Sequence, residues 1–238
     1  MSNINLPEGF DLETRITPIR RLIVMVNSRP GKGKTNFCLT APDPIAYIDM
    51  DTGTEGVIEK FTSTGKKVYR KRFDYHSLSG PDVAQQAQTM WEVLKRDFIA
   101  LVKNPKVKTV VVDTESEMWE LARLARLGKL TQVMPHHYGP VNAEYMDMVR
   151  LCDNCHKNFI FTQKQKEKYV NDKWTGGYMA GGFKGMEYIA QVVLDLWHED
   201  GEFGATITKC RLKPEMEGEI ITGDQVCFDY LEMMVFDM

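Results

Sequence analysis

Ser28-Arg29-Pro30-Gly31-Lys32-Gly33-Lys34-Thr35 follows the continuous apolar run Leu22-Ile23-Val24-Met25-Val26 and leads into a short helical pattern over residues 34–40. A strand, a glycine-bearing loop and a helix opened by Lys-Thr form the context of a phosphate cradle. Gly31 and Gly33 free the backbone to turn N–H groups inward, and the helix N-terminus adds partial positive charge. Lys34 then suits the β- and γ-phosphates, the Thr35 hydroxyl suits Mg²⁺, and Asn36 closes the binding segment. The usual spacing begins with glycine, whereas this loop begins with Ser28. The competing reading is a surface turn rich in glycine and lysine, which the flanking strand and helix disfavour.

Working outward, apolar strands alternate with amphipathic helices. Ile45-Ala46-Tyr47-Ile48 is a second strand that closes on Asp49-Met50-Asp51. Ala87, Met90, Trp91, Leu94, Phe98 and Leu101 mark one helical face over residues 82–102. Residues 107–112 read as a strand ending in Asp113. Residues 115–127 read as a helix stopped by Gly128, and residues 141–157 as another after a Pro/His/Gly loop at 134–140. Asn158-Phe159-Ile160-Phe161-Thr162 is a buried-type strand. A polar glycine-bearing loop over 163–185, a strand over 192–197 and a tail of antiparallel strands complete the pattern. This alternation predicts an α/β fold with a mostly parallel central sheet flanked by helices and a C-terminal antiparallel extension. Residues 1–21 read as a short N-terminal extension and 22–238 as one core.

Ligand sites in such sheets lie at the carboxyl ends of strands. The phosphate loop, Asp51, Asp113 and Gln163 each follow a strand. Asp113, at the end of Val110-Val111-Val112, is the expected partner of Thr35 in holding Mg²⁺. Glu115 and Glu117 read as first-turn acids that favour a helix N-terminus. In AAA+ ATPases the water-orienting carboxylate directly follows the metal-binding aspartate, but that position here is Thr114. The alternative is the Asp49-Met50-Asp51 cluster.

The order of these pieces resembles the RecA core, and more closely the small RecA-like nucleotide-binding proteins of bacteriophages associated with single-strand DNA annealing. Tyr47-Ile48-Asp49-Met50-Asp51 resembles the RecA strand whose terminal acid is catalytic, which assigns that role to Asp51, one methylene shorter than the family's glutamate. Phe159-Ile160-Phe161-Thr162-Gln163 is similar to the strand ending in the glutamine that senses the γ-phosphate. Thr175-Gly176-Gly177, Lys184 and Val192-Val193-Leu194-Asp195-Leu196 resemble the loop exit and the strand after it. Lys209-Cys210-Arg211-Leu212-Lys213 resembles the basic strand that reaches ATP in the neighbouring subunit, and period-two alternation puts Lys209, Arg211 and Lys213 on one side of a strand. The resemblance spans about residues 22–213. It implies an ATPase with ATP and Mg²⁺ as ligands, acting as a homo-oligomer or filament on single-stranded DNA, with a single-strand binding protein as a further partner. The chain ahead of Leu22 is too short for the oligomerisation domain of large recombinases, which favours annealing or coating over strand exchange.

Single-strand binding needs cations along the backbone and flat side chains for the bases. Lys164, Lys166, Lys168, Lys173 and Lys184 interleave with Tyr169, Trp174, Tyr178 and Phe183, and neighbouring glycines would let the loop reorder. His136-His137-Tyr138 occupies the place of the family's first DNA-binding loop. The basic run at residues 66–72 reads as a solvated strand edge that discourages edge pairing.

The net charge of −3 gives no global case for nucleic acid, so any such binding rests on local patches. Five scattered cysteines and the lack of a signal peptide or membrane-length apolar segment predict a cytoplasmic protein, in the host cytoplasm if phage-encoded. Cys152-Asp153-Asn154-Cys155-His156 spells a haem-attachment string, but Cys152 continues a helical apolar stripe, which favours buried thiols. Two rival functions share the phosphate loop. A small-molecule or nucleoside kinase would want an arginine-bearing lid, and residues 164–184 contain no arginine. A non-catalytic nucleotide-dependent scaffold is compatible with the short Asp51.

Overall fold

The computed structural model describes residues 19–51, 53–129, 134–170 and 172–238. Most of the expected N-terminal extension therefore lies outside the described residues. The strands are β1 (Ile23–Ser28), β2 (Ile45–Asp49), β3 (Val68–Arg72), β4 (Thr109–Asp113), β5 (Asn158–Val170), β6 (Lys173–Ala180), β7 (Val192–Glu199), β8 (Glu202–Cys210) and β9 (Ile220–Thr222). The helices are α1 (Lys34–Thr40), α2 (Val57–Thr62), α3 (Val83–Lys103), α4 (Glu115–Leu127), α5 (Tyr138–Arg150), α6 (Met186–Ile189) and α7 (Phe228–Phe236).

The sheet runs in the order β3-β2-β4-β5-β1-β7-β8-β9, with β6 paired to the outer part of β5. Its strands are parallel from β3 across to β7, while β8 and β9 run antiparallel. This is the expected α/β architecture: a mostly parallel sheet, helices on both faces and an antiparallel C-terminal margin. Central strands are buried on both sides, which is why they read as unbroken apolar runs.

Alternation sorts the side chains into two cores. Met25, Ile48, Val112, Phe159 and Phe161 face the layer of α3, α4 and α5, where Trp91, Phe98 and Tyr145 are buried. Val24, Val26, Tyr47, Val111, Ile160 and Leu194 face α1 and α7, where Phe37 meets Phe228. The second of these faces carries the phosphate loop.

Three expectations change. Residues 163–185 are not a loop: β5 continues past the main sheet to Val170 and returns as β6, a projecting hairpin. The C-terminal tail is only partly antiparallel strand, because Phe228, Leu231 and Val235 fall at helical spacing and bury the inner face of α7. Helix α5 starts at Tyr138 and ends at Arg150, followed by a 3-10 turn over Leu151–Asn154, so His136-His137-Tyr138 is a helix entrance. Within the run at residues 66–72, Val68–Arg72 forms the edge strand β3, with Tyr69 and its basic neighbours exposed. Cys152 is buried and Cys155 half-buried, its thiol donating to the Cys152 carbonyl at 3.5 Å. Among the described residues no helix is long and apolar enough to cross a membrane.

Candidate functional site

β1 delivers Ser28, fully buried, to the carboxyl edge of the sheet. Gly31 and Gly33 then adopt φ of +74° and +89°, a left-handed region costly for residues with a Cβ. Lys34 folds back over the loop: its ammonium donates to Ser28 Oγ at 3.0 Å and to the Ser28 and Arg29 carbonyls at 3.2 Å each. The serine hydroxyl in turn donates to Arg29 O at 2.9 Å. The serine in place of glycine thus adds a polar clasp to the loop. Burial lowers the Lys34 pKa, while the charges of Asp113 and Asp51 oppose that shift and favour the ammonium.

Asp113, 3% exposed, collects three hydroxyls. Thr35 Oγ1 donates to it at 2.9 Å, Thr162 Oγ1 at 2.5 Å, and the Tyr47 phenol through a short bond. All three come from the α1 face of the sheet, as strand alternation requires. Burial and then the Asp113 charge hold the Tyr47 phenol protonated, well above its ordinary pKa. The next peptide, Asp113–Thr114, is cis, and Thr114 caps α4 by accepting the Glu117 N–H at 3.4 Å.

Asp49 sits opposite Asp113 in the β2–β4 register and is 1% exposed. Thr54 donates to it at 2.8 Å and Arg70 lies 3.9 Å away, yet Asp49 Oδ1 is buried without a hydrogen bond. Burial raises its pKa, with the Asp113 charge adding to the rise and Thr54 and Arg70 opposing it. Asp51 is different: it lies in the cleft, a third exposed, with its carboxylate 3.2 Å from Lys164 Nζ.

That cleft, about 1050 Å³, is lined by residues 30–36, Asp51, Asp113 and Lys164, together with Leu196, Phe203, Asp224 and Val226. Its size suits a nucleotide. Thr35 and Asp113 offer oxygen donors of the kind Mg²⁺ takes, so the donor set fits the metal.

Gln163 does not line the cleft. Thr162 points to the α1 face, so the next residue points to the other, and Gln163 Nε2 donates to the buried Glu115 at 2.6 Å. Lys164, one residue further, returns to the cleft side and also pairs with Glu117, whose other oxygen lies 3.4 Å from His76 Nε2. Lys164, expected along a DNA-binding loop, therefore belongs to the nucleotide cleft.

Glu115, read from sequence as a helix-end acid, is fully buried. Tyr145 donates to it at 2.6 Å, and the Phe183 N–H lies 3.3 Å from both of its oxygens. Desolvation raises its pKa to about 7, against those three donors, which lower it. Gly182 packs so close that a Cβ would stand 1.9 Å from Glu115 Oε2 and 2.5 Å from Gln163 Nε2. Gly181 and Gly182 thus serve close packing at the hairpin base rather than reordering. Phe183 is also a core residue, against Trp119 and Tyr145.

On the hairpin, the register pairs Tyr169 with Trp174 and Glu167 with Tyr178, while Lys166 faces Met179 and Val170 faces Lys173. Cross-strand partners share a face. Tyr169, Trp174 and Tyr178, 57%, 55% and 39% exposed, thus lie with Glu167, to which the Tyr169 hydroxyl donates; Lys166 and Lys173 are on the opposite face, and the register shifts at Lys168. The expected interleaving of cations and rings is instead a segregation. Arg29 of the phosphate loop lies 5.0 Å over the Tyr178 ring. Lys184 is exposed beyond the hairpin.

The basic run 209–213 also differs from expectation. β8 stops at Cys210, at the end of the sheet away from the phosphate loop, since Cys210 pairs with the first residue of β7. Lys209 donates to Ala190 O at 3.0 Å and Arg211 to Tyr188 O, both near the end of α6. Lys213 donates to Met234 O at 2.8 Å and pairs with Asp237. These cations satisfy carbonyls left open at helix C-termini, a structural use that accounts for their charge within the chain.

A family model described as an AAA domain matches residues 20–211. No curated protein matches the chain in sequence. Among solved structures, the crystal structure of the RadB recombinase aligns over 84% of this chain and 86% of its own, with a TM-score of 0.49 and 13% identity.

Proposed function

Since the chain belongs to the AAA domain family, we propose that it is a RecA-like P-loop ATPase that hydrolyses ATP and couples nucleotide state to the binding of single-stranded DNA. The core is residues 22–238. It works in the cytoplasm as a homo-oligomer in DNA recombination or annealing.

One observation carries this reading: β5 serves both ends of the coupling. Its inner part supplies Thr162 to Asp113 and Lys164 to the cleft, and its outer part forms the hairpin with the exposed aromatic face. The Arg29–Tyr178 contact is a second bridge between phosphate loop and hairpin. Stacked bases suit Tyr169, Trp174 and Tyr178, because every base offers a π face.

Within the cleft, loop N–H groups and Lys34 bind the phosphates. Thr35 and Asp113 would hold Mg²⁺, which when bound neutralises charge on the phosphate oxygens. Tyr47 and Thr162 fix the Asp113 carboxylate in place. Asp51, a third exposed in the cleft and paired with Lys164, orients water.

The test is ATP hydrolysis measured with and without single-stranded DNA, in the wild type and in Lys34→Ala. DNA-stimulated turnover that disappears in the variant supports the proposal. Phosphate transfer to a metabolite would mean a kinase, and nucleotide-driven assembly without turnover a scaffold.

A further inference from the structure

Three consecutive residues in the first turn of α4 grip β5 where it leaves the main sheet. Glu115 accepts from Gln163 Nε2 at 2.6 Å, the Ser116 hydroxyl accepts the Lys164 N–H at 2.9 Å, and the Glu117 carboxylate binds the Lys164 ammonium. The Lys164 carbonyl is taken as well, by the Gly181 N–H at 2.7 Å. We propose that Glu117 is a positioning residue of the nucleotide cleft, acting through Lys164 by holding its ammonium among the phosphate-binding groups. This rests on the phosphate-loop reading above and adds to it a residue that does not itself line the cleft.

Thr114-Glu115-Ser116-Glu117 has the Thr-x-x-Glu spacing of a capping box, in which the glutamate reaches back to the backbone of the threonine. Half of that device is present, since Thr114 Oγ1 accepts the Glu117 N–H at 3.4 Å. The Glu117 side chain turns instead to Lys164, 47 residues away in sequence. A local rule given up for a distant contact is expected at functional sites. Glu117 is 7% exposed, and a carboxylate so buried needs partners. Lys164 serves one oxygen, and His76 Nε2 lies 3.4 Å from the other. The His76 ring in turn packs 4.5 Å from that of Tyr75.

The two acceptors of Lys164 are unlike. Glu117 is buried, whereas Asp51, 3.2 Å from the ammonium, is a third exposed and lines the cleft. Glu117 is thus the anchor and Asp51 the partner that faces solvent. An ammonium has three N–H donors, so one directed to each carboxylate leaves a third for a phosphate oxygen. The backbone places that donor beside the loop: Lys164 stands opposite Ser28 in the β1–β5 register, and the Ser28 hydroxyl accepts from Lys34. A free lysine side chain samples many rotamers, and ordering it in advance removes that cost from binding and from the transition state. Without Glu117 the ammonium falls to Asp51, which withdraws the cation from phosphate and the carboxylate from water together.

The experiment is a double-mutant cycle on the full chain, reading ATP turnover with a single-stranded oligonucleotide present and ADP affinity by calorimetry. It uses Glu117→Gln, Lys164→Met, their combination, and Lys34→Ala as the reference for the phosphate loop. Glu117→Gln should lower kcat by about tenfold while leaving ADP affinity within about twofold. Added to Lys164→Met it should cost less than about a further twofold, because residues that act through one another are not additive. Glu117→Asp keeps the charge but withdraws it by one methylene. It should give a smaller loss with the same dependence on Lys164, and it takes the place of the glutamine variant should that one fail to fold. A full further loss in the Lys164→Met background, or ADP affinity falling in step with kcat, would overturn the inference, since Glu117 would then only support α4. Wild-type turnover in Glu117→Gln, with Lys34→Ala inactive, would overturn the positioning role alone. Turnover indifferent to Lys34→Ala would overturn the phosphate-loop reading together with it.

Discussion

The Lys164 ammonium lies 3.2 Å from the Asp51 carboxylate and also bonds Glu117, within the cleft that Lys34, Thr35 and Asp113 line. Burial works against its charge, but the Glu117 and Asp51 partners outweigh burial and raise its pKa above the ordinary lysine value. A cation so placed competes for anionic oxygens as well as for its own carboxylates. Lys164→Met should lower ATP turnover roughly tenfold or more and narrow the affinity gap between ATP and ADP. Steady-state hydrolysis and ADP titration check this. Turnover equal to wild type would remove Lys164 from the site.

Gly182→Ala should destabilise the fold by about 2–4 kcal/mol, because the new Cβ cannot coexist with the Glu115 carboxylate without displacing a buried hydrogen-bond network. Urea denaturation reads the loss. A change below about 0.5 kcal/mol would mean that this packing yields easily.

Glu115 gives the fold a pH dependence whose sign follows from its raised pKa, about 7 in the folded state against 4.5 as the ordinary value. Between those values the folded chain retains a proton that the unfolded chain has lost, so stability falls as pH rises across this window. Above about pH 7 the cost is complete and this contribution becomes flat. Unfolding free energies at pH 5 and pH 8 should differ in this direction, and Glu115→Gln should flatten the slope. An unchanged slope in the variant would assign the effect to another group.

The proposed DNA binding divides into two separable contributions on the hairpin. Trp174→Ala combined with Tyr178→Ala should weaken single-strand binding by about tenfold or more without changing nucleotide affinity. Lys168→Ala should instead reduce the slope of log affinity against log salt by about 0.7. Fluorescence anisotropy over a salt series measures both, and wild-type affinity in the aromatic double variant would take DNA off this face.

Much of the architecture was legible because buried parallel strands and one-sided helices leave strong periodic signals. The runs around Val24, Val111 and Ile160 became β1, β4 and β5, and the stripe through Trp91 and Phe98 became α3. The outer part of β5 left no such mark, since neither of its faces is buried and Tyr169 and Val170 follow a run of charged and polar residues without apolar alternation. Helix α7 was hidden for another reason: nine mostly apolar residues fit either period until α1 supplies a partner.

At the site, Lys34, Thr35 and Asp113 were readable because loop chemistry is local. Tyr47 was not, because a buried phenol looks like any strand aromatic until its partner carboxylate is placed. Gln163 and Lys164 turn on strand alternation alone. Fixing Thr162 on the face of Asp113 would have sent Gln163 away from the cleft and Lys164 into it.

Strand β5 is clamped between β4 and β1 along its inner part and supported only by β6 beyond Gln165. Mechanically it is a cantilever whose root lies beside the phosphate cleft. The free part spans about 20 Å at the usual strand rise. A tilt of roughly 10° at the root would carry the tip about 3–4 Å, enough to move Tyr169 and Trp174 by about one strand rise. Small changes at Thr162 and Lys164 need no loop refolding to reach the far end; a stiff arm and a fixed pivot suffice.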